Sequence, residues 1–131
     1  GLMRLEMLPK KHTVLDWMVP APSQGALLVT ALESNTDLLS KLSPLNDDET
    51  ALCVAQERIF LRELEGGCTA PIGALAIIKG DQIHFVGNIT QKEGKQQLIF
   101  DQFMPVDDAH DIGAIAAQEL ISRGAKAILR E

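Results

Sequence analysis

The sequence predicts an α+β fold, a three-stranded antiparallel sheet with helices packed on one face. Two patterns point there. Three short runs of strand character follow one another between residues 72 and 103, each separated from the next by a glycine-centred turn, and two stretches with helical spacing and capping residues flank them. The 131 residues with 46% hydrophobic content suffice for one buried core.

The elements are read in order. Residues 1–11 mix apolar and basic positions and end at Lys10-Lys11-His12, which reads as a helix end running into a loop. Nothing caps that helix at its front, so the chain is expected to open within an element and not at the natural start of a protein. Pro20-Ala21-Pro22-Ser23-Gln24-Gly25 is a turn-rich crossover, because two prolines fix φ and Gly25 is free to take conformations other residues avoid. Residues 26–32 have strand character but no hairpin partner nearby.

Asn35-Thr36-Asp37 offers N-caps for a short helix with Leu38, Leu39 and Leu42 as its apolar stripe and Pro44 as its stop. A longer helix follows, capped by Asp47 or Asp48 and ended by Gly66-Gly67, which can turn left-handed. Apolar residues on most of its faces predict a central, buried helix, within which Glu57-Arg58 reads as an ion pair. The strands are residues 72–78, 82–90 and 96–103. In the second, Ile83, Phe85, Gly87 and Ile89 share the covered face, whereas His84, Asn88 and Thr90 share the wetter one. The last helix starts at Asp107 or Asp108 and runs to Arg123 with Ile112, Ile115, Ala116 and Leu120 at helical spacing. Gly124 stops it before an apolar tail at residues 125–129.

Composition excludes several functions. A net charge of −6 with dispersed lysines and arginines argues against nucleic acid, and equally against this chain alone gripping a polycarboxylate. No apolar run is long enough to cross a bilayer and no signal-peptide pattern opens the chain, so a cytoplasmic location and no membrane partner are expected. His12, His84 and His110 are isolated, and Cys53 and Cys68 form no Cys-x-x-Cys pair, so no metal is expected.

Cys68 is the most unusual position, following two glycines after a buried helix and preceding Thr69-Ala70-Pro71. Such a thiol is displayed on a constrained loop. The helix C-terminus is negative and disfavours a thiolate, so an acidified nucleophile is not indicated; the competing reading is a small residue packed at a turn. Cys53 sits inside the helix pattern and reads as core. His84 is the best histidine partner for Cys68, but its place on the wetter sheet face favours a solvated side chain.

Two segments carry a family resemblance. Pro20-Ala21-Pro22-Ser23-Gln24-Gly25-Ala26 resembles the Pro-Ala-x-Gly-Gln-Gly-Ala motif of hydroxymethylbilane synthases (porphobilinogen deaminases). Glu57-Arg58, Leu64-Glu65-Gly66-Gly67-Cys68 and Pro71-Ile72-Gly73-Ala74 resemble that family's cofactor-attachment region at its spacing, with further agreement at Asp48-Glu49-Thr50 and at the Gly124-Ala125 and Ile128-Leu129 ending.

The resemblance implies the C-terminal portion of a three-domain transferase of tetrapyrrole synthesis. Residues 1–33 correspond to the end of domain two and the crossover strand to domain one, and residues 34–131 to the cofactor-attachment domain. Cys68 is implied as the thioether anchor of a dipyrromethane, onto which four porphobilinogen units are added with loss of ammonia before hydroxymethylbilane is released. Gln24 and Gly25 are implied as binding residues near cofactor and substrate. The catalytic aspartate and the carboxylate-binding arginines belong to the missing N-terminal domains, so no catalytic residue is expected here. The isolated chain is expected to be inactive and without cofactor, and the parent to be a monomer. Ser23 stands where the family has glycine, Gln56 where alanine is common, and Thr69-Ala70 where Gln-Val is frequent; Glu57 and Arg58 are read as structural.

Two other readings compete. Helix, three strands and helix is also the layout of a double-stranded RNA-binding domain, but the last helix opens Asp107-Asp108-Ala109-His110-Asp111 where such a domain presents lysines. A non-catalytic interaction module would leave residues 26–32 free for edge pairing.

Overall fold

A computed structural model of the chain describes residues 2–65 and 70–130. The helix α1 (Thr36–Leu42) leads through a 3₁₀ turn (Ser43–Leu45) into α2 (Asp48–Glu63). The strands β1 (Ile72–Lys79), β2 (Gln82–Thr90) and β3 (Gln97–Pro105) follow, then a 3₁₀ turn (Val106–Asp111), α3 (Ile112–Ser122) and α4 (Ala125–Arg130). The sheet order is β1-β2-β3, both pairings antiparallel, and the helices α2, α3 and α4 cover one face. The α+β fold expected from the sequence is the fold observed.

Caps set the helix limits. Asn35 accepts the Leu38 amide and Asp47 the Thr50 amide, in each case satisfying one of the donors a helix start leaves free. The Thr50 hydrogen bond also holds the Asp47 carboxyl below its usual range. The β1–β2 hairpin turns on Gly80-Asp81, since Lys79 faces Gln82, and Gly80 has the positive φ of 66° that this tight connection requires.

Strand alternation supplies the core. Ile83, Phe85 and Ile89 of β2 are fully buried beneath the helices, with Ala74 and Ala76 of β1, Phe100 of β3, Phe60 of α2, and Ile112, Ala116 and Leu120 of α3. Phe85 meets Phe60 and Phe100 edge-on, at centroid distances of 5.6 and 6.2 Å, the arrangement the ring quadrupoles favour. Gly87 continues that face. A Cβ there would lie 2.7 Å from the Phe60 ring, so the missing side chain is what lets α2 lie against β2.

Residues 26–32 join no ladder and are mostly exposed, consistent with the lack of a partner nearby in the sequence. The structure corrects several local expectations. Residues 2–6 form turns and no helix. The leucine stripe of α1 is not buried: Leu38 and Leu39 are each 39% exposed. Ile115 points outward, because Gly113, Ala116 and Ala117 form the buried stripe of α3. The apolar tail at residues 125–129 is helical, with Ala125 and Ile128 on the core. His84 is partnered rather than solvated, 2.6 Å from Asp101 and stacked on its cross-strand neighbour Phe103 at 4.1 Å. No described helix is long and apolar enough to cross a membrane.

Candidate cofactor-anchoring site

The residues singled out from the sequence lie at two places around α2 and β1. At the C-terminal end of α2, Leu64 closes the last turn, and Glu65 takes the left-handed conformation at φ 55°. The helix therefore ends at Glu63 and the chain turns left-handed at Glu65, before the glycines expected to stop it. The Glu65 carboxylate meets Lys126 of α4 at 3.2 Å, which ties this end to the C-terminal helix. Cys68, with Gly66, Gly67 and Thr69, lies outside the described residues. The chain returns at Ala70-Pro71, whose geometry is set by the Ile72 amide donating to the Ala70 carbonyl at 2.8 Å, and enters β1.

The second place is the free edge of β1. An edge strand leaves every second amide unpaired, and here two successive ones are satisfied by different devices. The Ala74 amide donates to the Pro20 carbonyl at 3.0 Å and the Ala76 amide to Glu57 Oε1 at 2.8 Å; Cys53 and Ile78 line the groove beside them. Cys53 and Glu57 are four residues apart and so share one face of α2. Burial, followed by the negative charge of Glu57, pushes the Cys53 thiol above its ordinary pKa, and the Ile78 amide offsets this only in part.

The crossover turn hangs on the same edge. Ser23 (φ 64°) and Gly25 (φ 90°) are both left-handed, which explains why glycine is the residue the motif resemblance expects at position 23. The Ser23 amide donates to Glu57 Oε2 at 2.6 Å, while Gln24 folds its Oε1 back onto the Ala21 amide at 3.2 Å. Gln24 and Gly25 are exposed and line a groove with Glu49, Thr50, Cys53 and Glu57 of α2. That groove is level with the middle of α2. At 1.5 Å per residue, the ten residues from Val54 to Leu64 put it about 15 Å from the helix end where the Cys68 segment begins.

Glu57 and Arg58 do not form the ion pair read from the sequence. Consecutive helical residues point about 100° apart, so Glu57 is buried at 5% exposure while Arg58 faces solvent beside residues 25–28. Gln56 is also buried; its amide donates to the His110 carbonyl at 2.9 Å and accepts the Gly113 amide at 3.1 Å, clamping α2 to α3. Among the described residues no three histidine, cysteine or carboxylate groups converge as a metal site. The turn before α3 presents Asp107, Asp108 and Asp111 to solvent, which gives no support to an RNA-binding reading.

A family model described as "Porphobilinogen deaminase, C-terminal domain" matches residues 51–122, from α2 through α3. The chain belongs to the porphobilinogen deaminase family. Porphobilinogen deaminases of Francisella tularensis subsp. novicida (strain U112) and of Francisella tularensis subsp. tularensis (strain SCHU S4 / Schu 4) are each 37% identical to it over 131 residues, covering 98% of this chain. The same alignments cover 43% of those relatives. The chain thus spans less than half the length of these porphobilinogen deaminases.

The chemistry of the two thiols bears on a covalent cofactor in such a protein. Thioether formation needs an accessible sulfur. Cys53, buried at 8% exposure and with its pKa raised by that burial, does not offer one.

Proposed function

We propose that this chain is the C-terminal part of a hydroxymethylbilane synthase, with Cys68 as the anchor for dipyrromethane and residues 34–131 as its cofactor-attachment domain. The observation that carries the reading is the family match across α2 to α3, which brackets the Leu64-Glu65-Gly66-Gly67-Cys68 segment. Residues 1–33 belong with domains that the longer relatives contain and this chain does not. The parent enzyme works as a monomer in the cytosol.

Bound through Cys68, the dipyrromethane supplies the free pyrrole end to which porphobilinogen units are joined with loss of ammonia. What this chain contributes is placement. The α2 end and the start of β1 hold the two ends of the attachment segment, one through the Glu65–Lys126 pair and the other through the Ala70–Ile72 turn. Gln24 and Gly25 contribute a wall near cofactor and substrate.

General acid–base groups and the cations needed to hold acetate and propionate side chains come from the N-terminal domains, consistent with the −6 charge here. The isolated chain is accordingly inactive and carries no cofactor. The test is intact mass of the full-length protein beside its Cys68→Ser variant. An increment of dipyrromethane size on the first and not on the second is the expected result; the same mass for both, under porphobilinogen supply, would overturn the anchor role.

A further inference from the structure

We propose that Glu57 is a positioning residue for the turn carrying Gln24 and Gly25: one carboxylate oxygen is fixed to β1 and the other holds the Ser23 amide. This rests on the reading of Gln24 and Gly25 as a wall near cofactor and substrate, and it adds the residue that sets where that wall stands.

The geometry favours a role beyond edge capping. A backbone carbonyl suffices at Ala74, so closing the β1 edge does not require a buried charge. Glu57 nevertheless brings one to 5% exposure, and among the described residues no lysine or arginine pairs with it. Its charge is met by two backbone amides, Ala76 at 2.8 Å and Ser23 at 2.6 Å, hydrogen bonds of the stronger, charge-assisted kind. An uncompensated buried carboxylate is costly, so the second amide is part of what makes the position tolerable.

From the other side, the turn depends on that contact. Apart from the Pro20 carbonyl, which accepts the Ala74 amide where the turn begins, its remaining hydrogen bonds are internal: the Gln24 amide donates to the Ala21 carbonyl at 3.1 Å, the Ala26 amide to the Ser23 carbonyl at 3.3 Å, and the Ala21 amide to Gln24 Oε1. Ser23 is held left-handed at φ 64°, a conformation that persists in a non-glycine residue only when its surroundings impose it. The orientation of Gln24 and Gly25, the next two residues, follows from that of Ser23.

Glu57→Gln separates the two contacts, because an amide side chain keeps one acceptor for Ala76 but turns an NH₂ toward the Ser23 amide. The full-length enzyme is assayed for porphobilinogen turnover, with cofactor loading by intact mass and stability by thermal melting. The expected result is a KM raised about tenfold or more, the scale of one charge-assisted hydrogen bond, with kcat little changed and the cofactor increment retained. Gln56→Ala cuts the clamp between α2 and α3, away from the groove that Gln24 and Gly25 line; it should lower the melting temperature and leave KM unchanged.

A Glu57→Gln enzyme that loses stability with KM unchanged, as Gln56→Ala does, would show Glu57 to be structural only. If Glu57→Gln does not accumulate folded, Glu57→Asp, which retracts the carboxylate by one methylene, must give the same KM effect; failure of both variants to fold also overturns the proposal. A wild-type enzyme with neither turnover nor pyrrole mass overturns the functional reading itself, whatever the variants do, and the positioning role with it.

Discussion

Gly113 of α3 packs so directly on Gln56 of α2 that a methyl group on its Cα would overlap the Gln56 carbonyl oxygen. The same two residues are joined by the Gly113 amide donating to the Gln56 side-chain oxygen at 3.1 Å. Main chain therefore meets main chain at this crossing, and the side-chain amide of Gln56 fills the remaining polar requirement by binding His110 as well.

Gly113→Ala is expected to destabilise the chain by about 3 kcal/mol, because the obstacle is backbone that cannot swing aside. Gln56→Ala should cost about 2 kcal/mol by leaving a buried amide without its acceptor. Denaturant melts of the two single variants and the double variant check this. The double should fall short of the sum, since both changes part the same two helices.

The sequence made the strands and the covered face legible because their period of two is local: Ile83, Phe85, Gly87 and Ile89 follow from alternation alone. It did not make the Gln56 clamp or the Glu57 contacts legible. Their partners lie 57, 19 and 34 residues away, so no local spacing reports them. Position 23 was half legible. The motif resemblance marked Ser23 as a departure from glycine, but only the left-handed φ gives the departure a physical meaning. The ion pair expected from the adjacent Glu57 and Arg58 failed for a geometric reason that adjacency itself contains, since neighbours on a helix point apart.

Asp47 links stability to acid. Its pKa is lowered in the fold by the hydrogen bond from Thr50, so its contribution is present above the unfolded carboxylate range and is lost as pH falls through the folded value. Asp47→Ala should melt below the wild type at neutral pH. The gap between the two should narrow as pH falls below the ordinary aspartate range, which paired thermal melts across pH would show.

Ser23→Gly should stabilise the chain by about 1 kcal/mol. It relieves the left-handed strain at φ 64° and removes a hydroxyl that is buried without a hydrogen-bond partner, effects that together outweigh the entropy glycine adds to the unfolded chain. Chemical denaturation of the variant beside the wild type measures it; a loss of stability would mean that the turn is held differently from the geometry described.

Cys53 links stability to alkali, with the opposite sign. Burial and Glu57 raise its pKa in the fold, so the folded state keeps a proton that the unfolded chain releases above about pH 8.5. Its contribution to stability should thus be flat below that pH and decline as pH rises from there toward the folded value. Cys53→Ala abolishes that part of the decline, while losing about 1 kcal/mol of buried packing at neutral pH. The same burial predicts that a thiol reagent reaches Cys53 only when denaturant is added, and peptide mapping of the labelled cysteines distinguishes it from Cys68. Rapid labelling of Cys53 in the folded chain would mean that α2 does not stay closed on the β1 edge, and the edge-capping role of Glu57 would fall with it.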